Sequence, residues 1–247
     1  MIYSAIALKY LIKKRFPKLI IMSRFIKFRI TKNRGSLEQI ADKAASQPIT
    51  TESGQGFEVC DLTNGRLCLR WIERITVPHR IADDVFGDIA YEETKLIRFE
   101  LLFSGSSRSV ILLNPPRGIQ RVHKVLRLLF EEGNFTPETI SVWHSVLTLA
   151  DRPNWKVVAV QTNQTLVDEG VLMAISVAGR GQVLKFYSEL GFKVDFVVKS
   201  ALLDLELKNG MARVQIISSG SIKCSRDLSP SECWDLVKVL TFSEPDS

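Results

Sequence analysis

Apolar and polar residues alternate along most of this chain in short runs, and a few stretches switch to the three-and-four spacing of an amphipathic helix. Residues 25–31 alternate and predict a strand. Residues 36–46 predict a helix, with Ser36 as N-cap and Gly35 or Asn33 able to share that role. A polar loop (47–55) leads to strands 57–62 and 66–75, joined as a hairpin through Asn64-Gly65. A looser stretch holds Pro78 and Asp83-Asp84. Strands 95–103 and 108–113 then flank Gly105-Ser106-Ser107, and Asn114-Pro115-Pro116 stops the second of them. Residues 119–130 form an amphipathic helix. Residues 136–149 predict another, with Thr136 as cap and Pro137 at the first helical position. Residues 151–154 break the pattern and mark a boundary.

The second half continues with strands 156–161 and 170–177 and a helix over 181–190 ended by Gly191. Strands 192–198, 202–207 and 212–217 follow. The last two are joined at Asn209-Gly210, which sets Glu206 opposite Arg213. Residues 222–224 read as an edge strand. The closing helix, to about Leu240, has Ser229 as N-cap, Pro230 first and Glu232 three residues after the cap.

The two halves share an order. Phe28-Arg29-Ile30-Thr31-Lys32-Asn33-Arg34-Gly35 passes from strand to helix, and Ala174-Ile175-Ser176-Val177-Ala178-Gly179-Arg180-Gly181 does the same with Arg-Gly at the same place. Each helix is followed by about four strands and a closing helix. The expected fold is therefore α+β: tandem β-α-β-β-β-β-α repeats forming a curved antiparallel sheet, helices on one face and the other open. The expected division is a basic amphipathic extension (1–21), a first repeat (22–132), a helical connector (133–154) and a second repeat (155–247). This order resembles the duplicated saddle of the TATA-binding protein. The resemblance is one of topology and covers most of residues 25–240. That family's sequence signatures are not found, and its intercalating phenylalanine pairs cannot be placed, so the likeness does not settle function.

A second, smaller likeness lies in Phe186-Tyr187-Ser188-Glu189-Leu190-Gly191-Phe192, which looks like the helix-to-strand corner of the vicinal-oxygen-chelate (glyoxalase-like) family and of some acetyltransferases. The metal chemistry implied by the former departs here: its first-strand ligand position falls near Leu172, and residues 212–217 contain no Glu or His. The acetyltransferase likeness implies a phosphate loop, of which Pro116-Arg117-Gly118-Ile119-Gln120 is a poor version. The plainer reading is a capped amphipathic helix docking on a sheet.

Composition places the chain among globular proteins, with 45% apolar and 24% charged residues. No apolar run reaches the roughly 18–20 residues that a spanning helix needs. The net charge of +6 is unevenly spread. Ten Lys or Arg and no acid lie in residues 1–34; removing them from 33 basic residues leaves 23 against 27 acids, so residues 35–247 carry −4. Residues 1–21 lack the order of a secretory signal, because the apolar stretch precedes the lysines. Two readings stay open: a surface-seeking amphipathic helix making peripheral membrane contact, and a translation start at Met22. Cys60, Cys68, Cys224 and Cys233 show no zinc spacing. With Asp61 opposite Cys68, Cys60 and Cys68 are expected on opposite faces, as free thiols of a cytoplasmic protein.

His79, His123 and His144 lie in separate elements with no partner spacing, and no nucleophile-base-acid set suggests itself. The carboxylates of Asp83, Asp84 and Asp88 read as a solvated acidic loop rather than a cation site. No catalytic residue, cofactor or metal is expected. The Arg-Gly helix entries could meet a phosphate, or simply turn the chain. On the polar sheet face, Lys193, Asp195, Lys199, Asp204, Glu206, Lys208, Arg213 and Gln215 in the second half, with Arg70, Arg74, Arg98 and Glu100 in the first, give mixed charge. Three functions follow as expectations. The first is a non-catalytic nucleic-acid-binding module using the basic N-terminal arm and the open sheet face. Its contacts would come from Lys13, Lys14, Arg15, Arg24, Lys27, Arg29, Lys32, Arg34, Arg117 and Arg180. The second is a protein-interaction subunit of a larger assembly, and the third an enzyme with a small-molecule site.

Overall fold

The computed structural model describes residues 21–31, 35–81, 89–105, 108–130, 135–150, 152–163, 165–168, 171–173, 175–178 and 197–242. The expectations for residues 1–20, the acidic loop at 83–88, the helix over 181–190 and the Phe186–Phe192 corner lie outside these. The fold is α+β and mostly antiparallel sheet, with four helices among the described residues. None of those helices is long and apolar enough to cross a membrane. The chain divides into two compact units. One is Phe28–Thr136; the other gathers the described residues up to Lys27 with those from Pro137 onward.

Strand β1 (Ser23–Ile30) ends inside the first of these units. Helix α1 (Leu37–Ala45) follows, then β2 (Gln55–Thr63), β3 (Arg66–Ile81), β4 (Ile89–Ser104), β5 (Ser109–Leu113), helix α2 (Ile119–Leu129) and the short β6 (Phe135–Pro137). The strands lie in the order β1-β5-β4-β3-β2, which leaves β2 at the edge. Helix α1 begins where the sequence places it. Ser36 Oγ accepts from the Gln39 N–H and the Gln39 side chain accepts from the Ser36 N–H, a reciprocal cap for two otherwise orphaned donors. Asn64 and Gly65, both left-handed (φ 51° and 68°), make the tight turn that matches strand twist, and Asp61 faces Cys68 as expected. One face of this sheet is a stack of cross-strand apolar neighbours: Trp71 beside Phe99 and Phe57, Leu69 beside Leu101, Leu67 beside Phe103. Trp71 and Phe57 meet edge to face with centroids 4.7 Å apart, and Phe103 reaches Phe130 just after α2.

The second unit contains α3 (Val142–Ala150), β7 (Trp155–Thr162), β8 (Thr165–Asp168), β9 (Val171–Met173), β10 (Ser176–Ala178), β11 (Val198–Leu207), β12 (Gly210–Ile217), β13 (Ser221–Cys224) and α4 (Pro230–Val239). Its strand order is β10-β7-β11-β12-β13-β1, and β8 and β9 form a separate hairpin. Leu203, Leu205, Ala212, Val214, Ile216 and Ile222 are buried at matching register positions. Helix α3 packs on β7 and β11, and α4 on α3.

Four local expectations are corrected. The predicted helix from Thr136 is not formed there. Thr136 and Pro137 lie in β6, the Glu138 N–H donates to the Lys27 carbonyl, and the Glu138 carboxylate binds Lys27 Nζ at 2.7 Å, so the chain stays extended and α3 starts only after Ser141. The turn before β12 is Lys208–Asn209, not Asn209-Gly210. Moving it by one residue changes each partner by two, so Asp204 rather than Glu206 faces Arg213. The stretch around Pro78 is strand, paired with Glu92; proline is tolerated there because β2 ends opposite Glu73, so among the described residues no strand pairs with that edge of β3 at Pro78. Finally, Cys60 does not alternate away from Cys68: the register slips between Val59 and Asp61, a bulge that sets two residues of β2 against one of β3.

Two features of the second unit carry stability. Glu232, only 1% exposed, sits at the third position of α4. Arg226 Nη2 donates to it at 2.7 Å, and the backbone N–H groups of Ser229 and Asn209 add bonds of 3.0 and 3.1 Å. These donors, Arg226 foremost, hold its carboxyl down at about 2. A carboxyl depressed in the folded state stabilises above its unfolded value, near 4.5, and that stability is lost as pH falls towards 2. Glu232→Gln is expected to lower unfolding free energy by about 3 kcal/mol at neutral pH, the gap from wild type closing as denaturation curves are taken down through that acid window. The second feature is Gly220 (φ +85°), where an added Cβ would run into the Glu138 carbonyl. Gly220→Ala should cost more than about 2 kcal/mol, read as a lowered denaturation midpoint.

Candidate interaction surface

Alternation places the charged residues of neighbouring strands shoulder to shoulder, and the register brings them into rows of alternating sign. In the Phe28–Thr136 unit, Glu58, Arg70 and Glu100 stand abreast on β2, β3 and β4. Arg70 Nη1 reaches Glu58 at 2.9 Å and Nη2 reaches Glu100 at 3.0 Å. In the other unit Lys156, Asp204 and Arg213 stand abreast on β7, β11 and β12. Arg213 grips Asp204 with two bonds of 2.6 and 2.8 Å. The acids raise the pKa of each arginine further, so both stay charged. The mixed face read from the sequence is thus locally paired, and the partners Glu58 and Lys156 complete it. With Arg213 42% and Asp204 25% exposed, solvent screening leaves this pair little weight in stability.

Of the basic residues singled out, Lys13, Lys14, Arg15, Lys32, Arg34 and Arg180 lie outside the described residues. Arg24 faces Lys223 across β1 and β13, two like charges opposite each other. Arg29 is half-exposed on β1, and Arg117 is exposed just before α2. Lys27 is turned inward: its ammonium binds Glu138 and lies 4.2 Å from the centroid of the Phe242 ring. The three histidines sit on β3, α2 and α3. His79 stacks on Tyr91 and contacts Glu93, His123 packs on Phe28, and His144 bonds Ser141. Among the described residues no three His, Cys, Asp or Glu side chains gather as a metal donor set.

The feature that sequence reading missed is the outer half of the β3–β4 hairpin. β2 ends opposite Glu73, and β5 pairs with β4 only from Glu100 to Phe103. The eight pairs from Arg74↔Leu96 to Ile81↔Ile89 therefore form a two-stranded ribbon, about 25 Å long, with no third strand among the described residues. The helix-covered stripe Leu67, Leu69, Trp71 continues at the same parity as Ile75 and Val77. Glu73, held by Arg121 of α2 at 3.2 Å, marks the transition. Beyond it, Tyr91, opposite His79 on this face, is 47% exposed, and Leu96, opposite Arg74 on the other face, is 51% exposed. The alternation Ile75-x-Val77-x-His79 was the available signal, and Pro78 in its midst obscured it.

No protein-family model matches the chain, and no curated protein matches it in sequence.

The burial contrast yields a prediction. Lys27→Ala removes the 2.7 Å ion-pair partner of Glu138, whose side chain is 5% exposed, and should cost about 3–5 kcal/mol. Arg213→Ala should cost less than about 1 kcal/mol, and less still in high salt. Chemical denaturation of the two variants checks both.

Proposed function

We propose that the protein is a non-catalytic binding module of the cytoplasm that docks on a protein partner in a larger assembly through the β3–β4 ribbon. The observation that carries this reading is the apolar stripe of β3, which runs past Glu73 onto a ribbon with no third strand among the described residues. An isolated two-stranded ribbon is marginal in water. A surface that covers the Ile75–Val77–Tyr91 side, or adds a strand along an open edge, would stabilise it. Pro78, Arg80, Glu92 and Lys95 on the same ribbon discourage indiscriminate edge pairing and leave room for a partner of matching shape.

Nucleic-acid binding is the second reading, favoured by the concentration of ten basic residues in the first 34. In it, Lys13, Lys14, Arg15, Arg24, Lys27, Arg29, Lys32, Arg34, Arg117 and Arg180 grip the phosphate backbone, and a tandem-repeat saddle is the body. The order β1-α1-β2-β3-β4-β5-α2 and the later run β11, β12, β13, α4 support the repeat. Against the sheet face as a phosphate grip stands the pairing of Arg70 and Arg213 with acids, which leaves little basic field.

The two readings separate in one experiment. The full chain and a Tyr91→Ser/Leu96→Ser variant are used as bait in the source cell extract at physiological salt, with random-sequence DNA and RNA titrated in parallel. A defined protein retained by the wild type and lost from the equally stable variant is expected. Salt-sensitive nucleic-acid binding that survives the ribbon changes and disappears without residues 1–34 would overturn the protein-docking reading in favour of the second.

A further inference from the structure

The bulge in β2 creates a juxtaposition that plain alternation forbids. Cys60 is the residue skipped in the register between Val59 and Asp61, and both Cys60 and Asp61 oppose Cys68. The two thiols consequently meet on one side of the hairpin, close enough for each to influence the other's ionisation. Cys60 also donates from Sγ to the Glu58 carbonyl at 3.8 Å. Residues opposed across an antiparallel pair have Cα atoms about 4.5–5.5 Å apart, within the roughly 4.4–6.8 Å that a disulfide spans. β2 is the edge strand, so Cys60 is exposed to solvent while Cys68 is nearly buried beneath it. Cys224 and Cys233 are fully buried in the other unit.

We propose that Cys60 and Cys68 are a reversible cross-strand disulfide site, closed by exchange with a low-molecular-weight disulfide such as glutathione disulfide. The Cys60 thiolate attacks one sulfur of the glutathione disulfide; a Cys60–glutathione bond forms, the S–S bond of the reagent breaks, and one glutathione thiolate leaves. The Cys68 thiolate then attacks Cys60 Sγ, forming the Cys60–Cys68 bond and expelling the second glutathione thiolate. Two protein thiols are oxidised, one glutathione disulfide is reduced to two glutathiones, and the two protein protons end on those leaving groups. Excess reduced glutathione reverses both steps.

The surroundings set the order of attack and its pH dependence. Burial pushes both thiols up, Cys68 to about 12, with the Glu100 charge adding to both and nearby Arg70 pulling both back, and of the two Cys60 is the one exposed to solvent. Cys60 is therefore the entry point. Part of the pressure on Cys68 comes from a charge on Cys60 itself, and that charge vanishes once Cys60 is in the mixed disulfide. Because thiolates are scarce at neutral pH, closure should accelerate as pH rises through the alkaline range.

The test uses the reduced full-length protein, incubated natively with glutathione disulfide, alkylated, and mapped by peptide mass spectrometry. The expected result is loss of two of the four free thiols and a peptide pair joined through Cys60 and Cys68, restored by excess reduced glutathione. In Cys68→Ser the reaction should stop at glutathione on Cys60, and in Cys60→Ser Cys68 should stay unreacted. A wild-type protein that keeps glutathione on Cys60 with Cys68 free, that joins two chains, or that loses no thiol overturns the proposal. The wild-type map alone gives this answer should either variant fail to fold.

Discussion

Antiparallel pairing with a two-residue period is the constraint from which most of this structure follows. It sends every second side chain of β3, β4, β11 and β12 to a helix-covered face, where Leu67, Leu69, Trp71, Leu203 and Val214 pack out of water. The same period sends the intervening residues to the other face and stands them directly beside those of the next strand. Charges there have to be opposite in sign to those of their neighbours. Glu58–Arg70–Glu100 and Lys156–Asp204–Arg213 are the outcome. Where the period is interrupted, as at Cys60, two side chains that would have pointed apart are brought together.

The ion pairs of this protein divide by solvent rather than by geometry. Arg213–Asp204 has two short bonds but stands in water, and contributes to what the face presents more than to how firmly it is held. Arg226–Glu232 and Lys27–Glu138 have an acid that is almost fully enclosed. Each locks a place where the chain changes course: Glu232 ties the start of α4 to the turn at Asn209, and Glu138 ties the segment before α3 to β1. A positively charged side chain such as Lys27 can therefore look like a nucleic-acid contact in the sequence while serving as the counterion of a buried carboxylate.

The β3–β4 ribbon and the Cys60–Cys68 pair both involve β3, at opposite ends. Near the Asn64-Gly65 turn β3 is paired on both edges and its apolar side is filled; past Glu73, among the described residues, β4 is the one strand that pairs with it. A strand so unevenly supported is stable where the sheet holds it and dependent on other surfaces where it does not.

Signals confined to a few adjacent residues were legible in the chain. Ser36 with Gln39, Ser229 with Glu232, and the Asn64-Gly65 turn each act within four residues, so local chemistry alone specified them, and the alternation of 66–75 was enough to identify a half-buried strand. The sign-mixed polar face was legible too, since parity follows from counting. What required the tertiary structure was every choice between two locally acceptable arrangements. Pro137 could open a helix or extend a strand, and the backbone and carboxylate of Glu138 binding Lys27, 111 residues away, chose the strand. Asn209-Gly210 could be the turn, yet pairing along the whole of β11 and β12 moved it to Lys208–Asn209 and exchanged Glu206 for Asp204 as the partner of Arg213. The bulge at Cys60 and the reach of β3 beyond β2 depend on where a neighbouring strand ends or slips. Sequence determined which residues face together along one strand; only the pairing of strands, a long-range property, decided which residues meet across them.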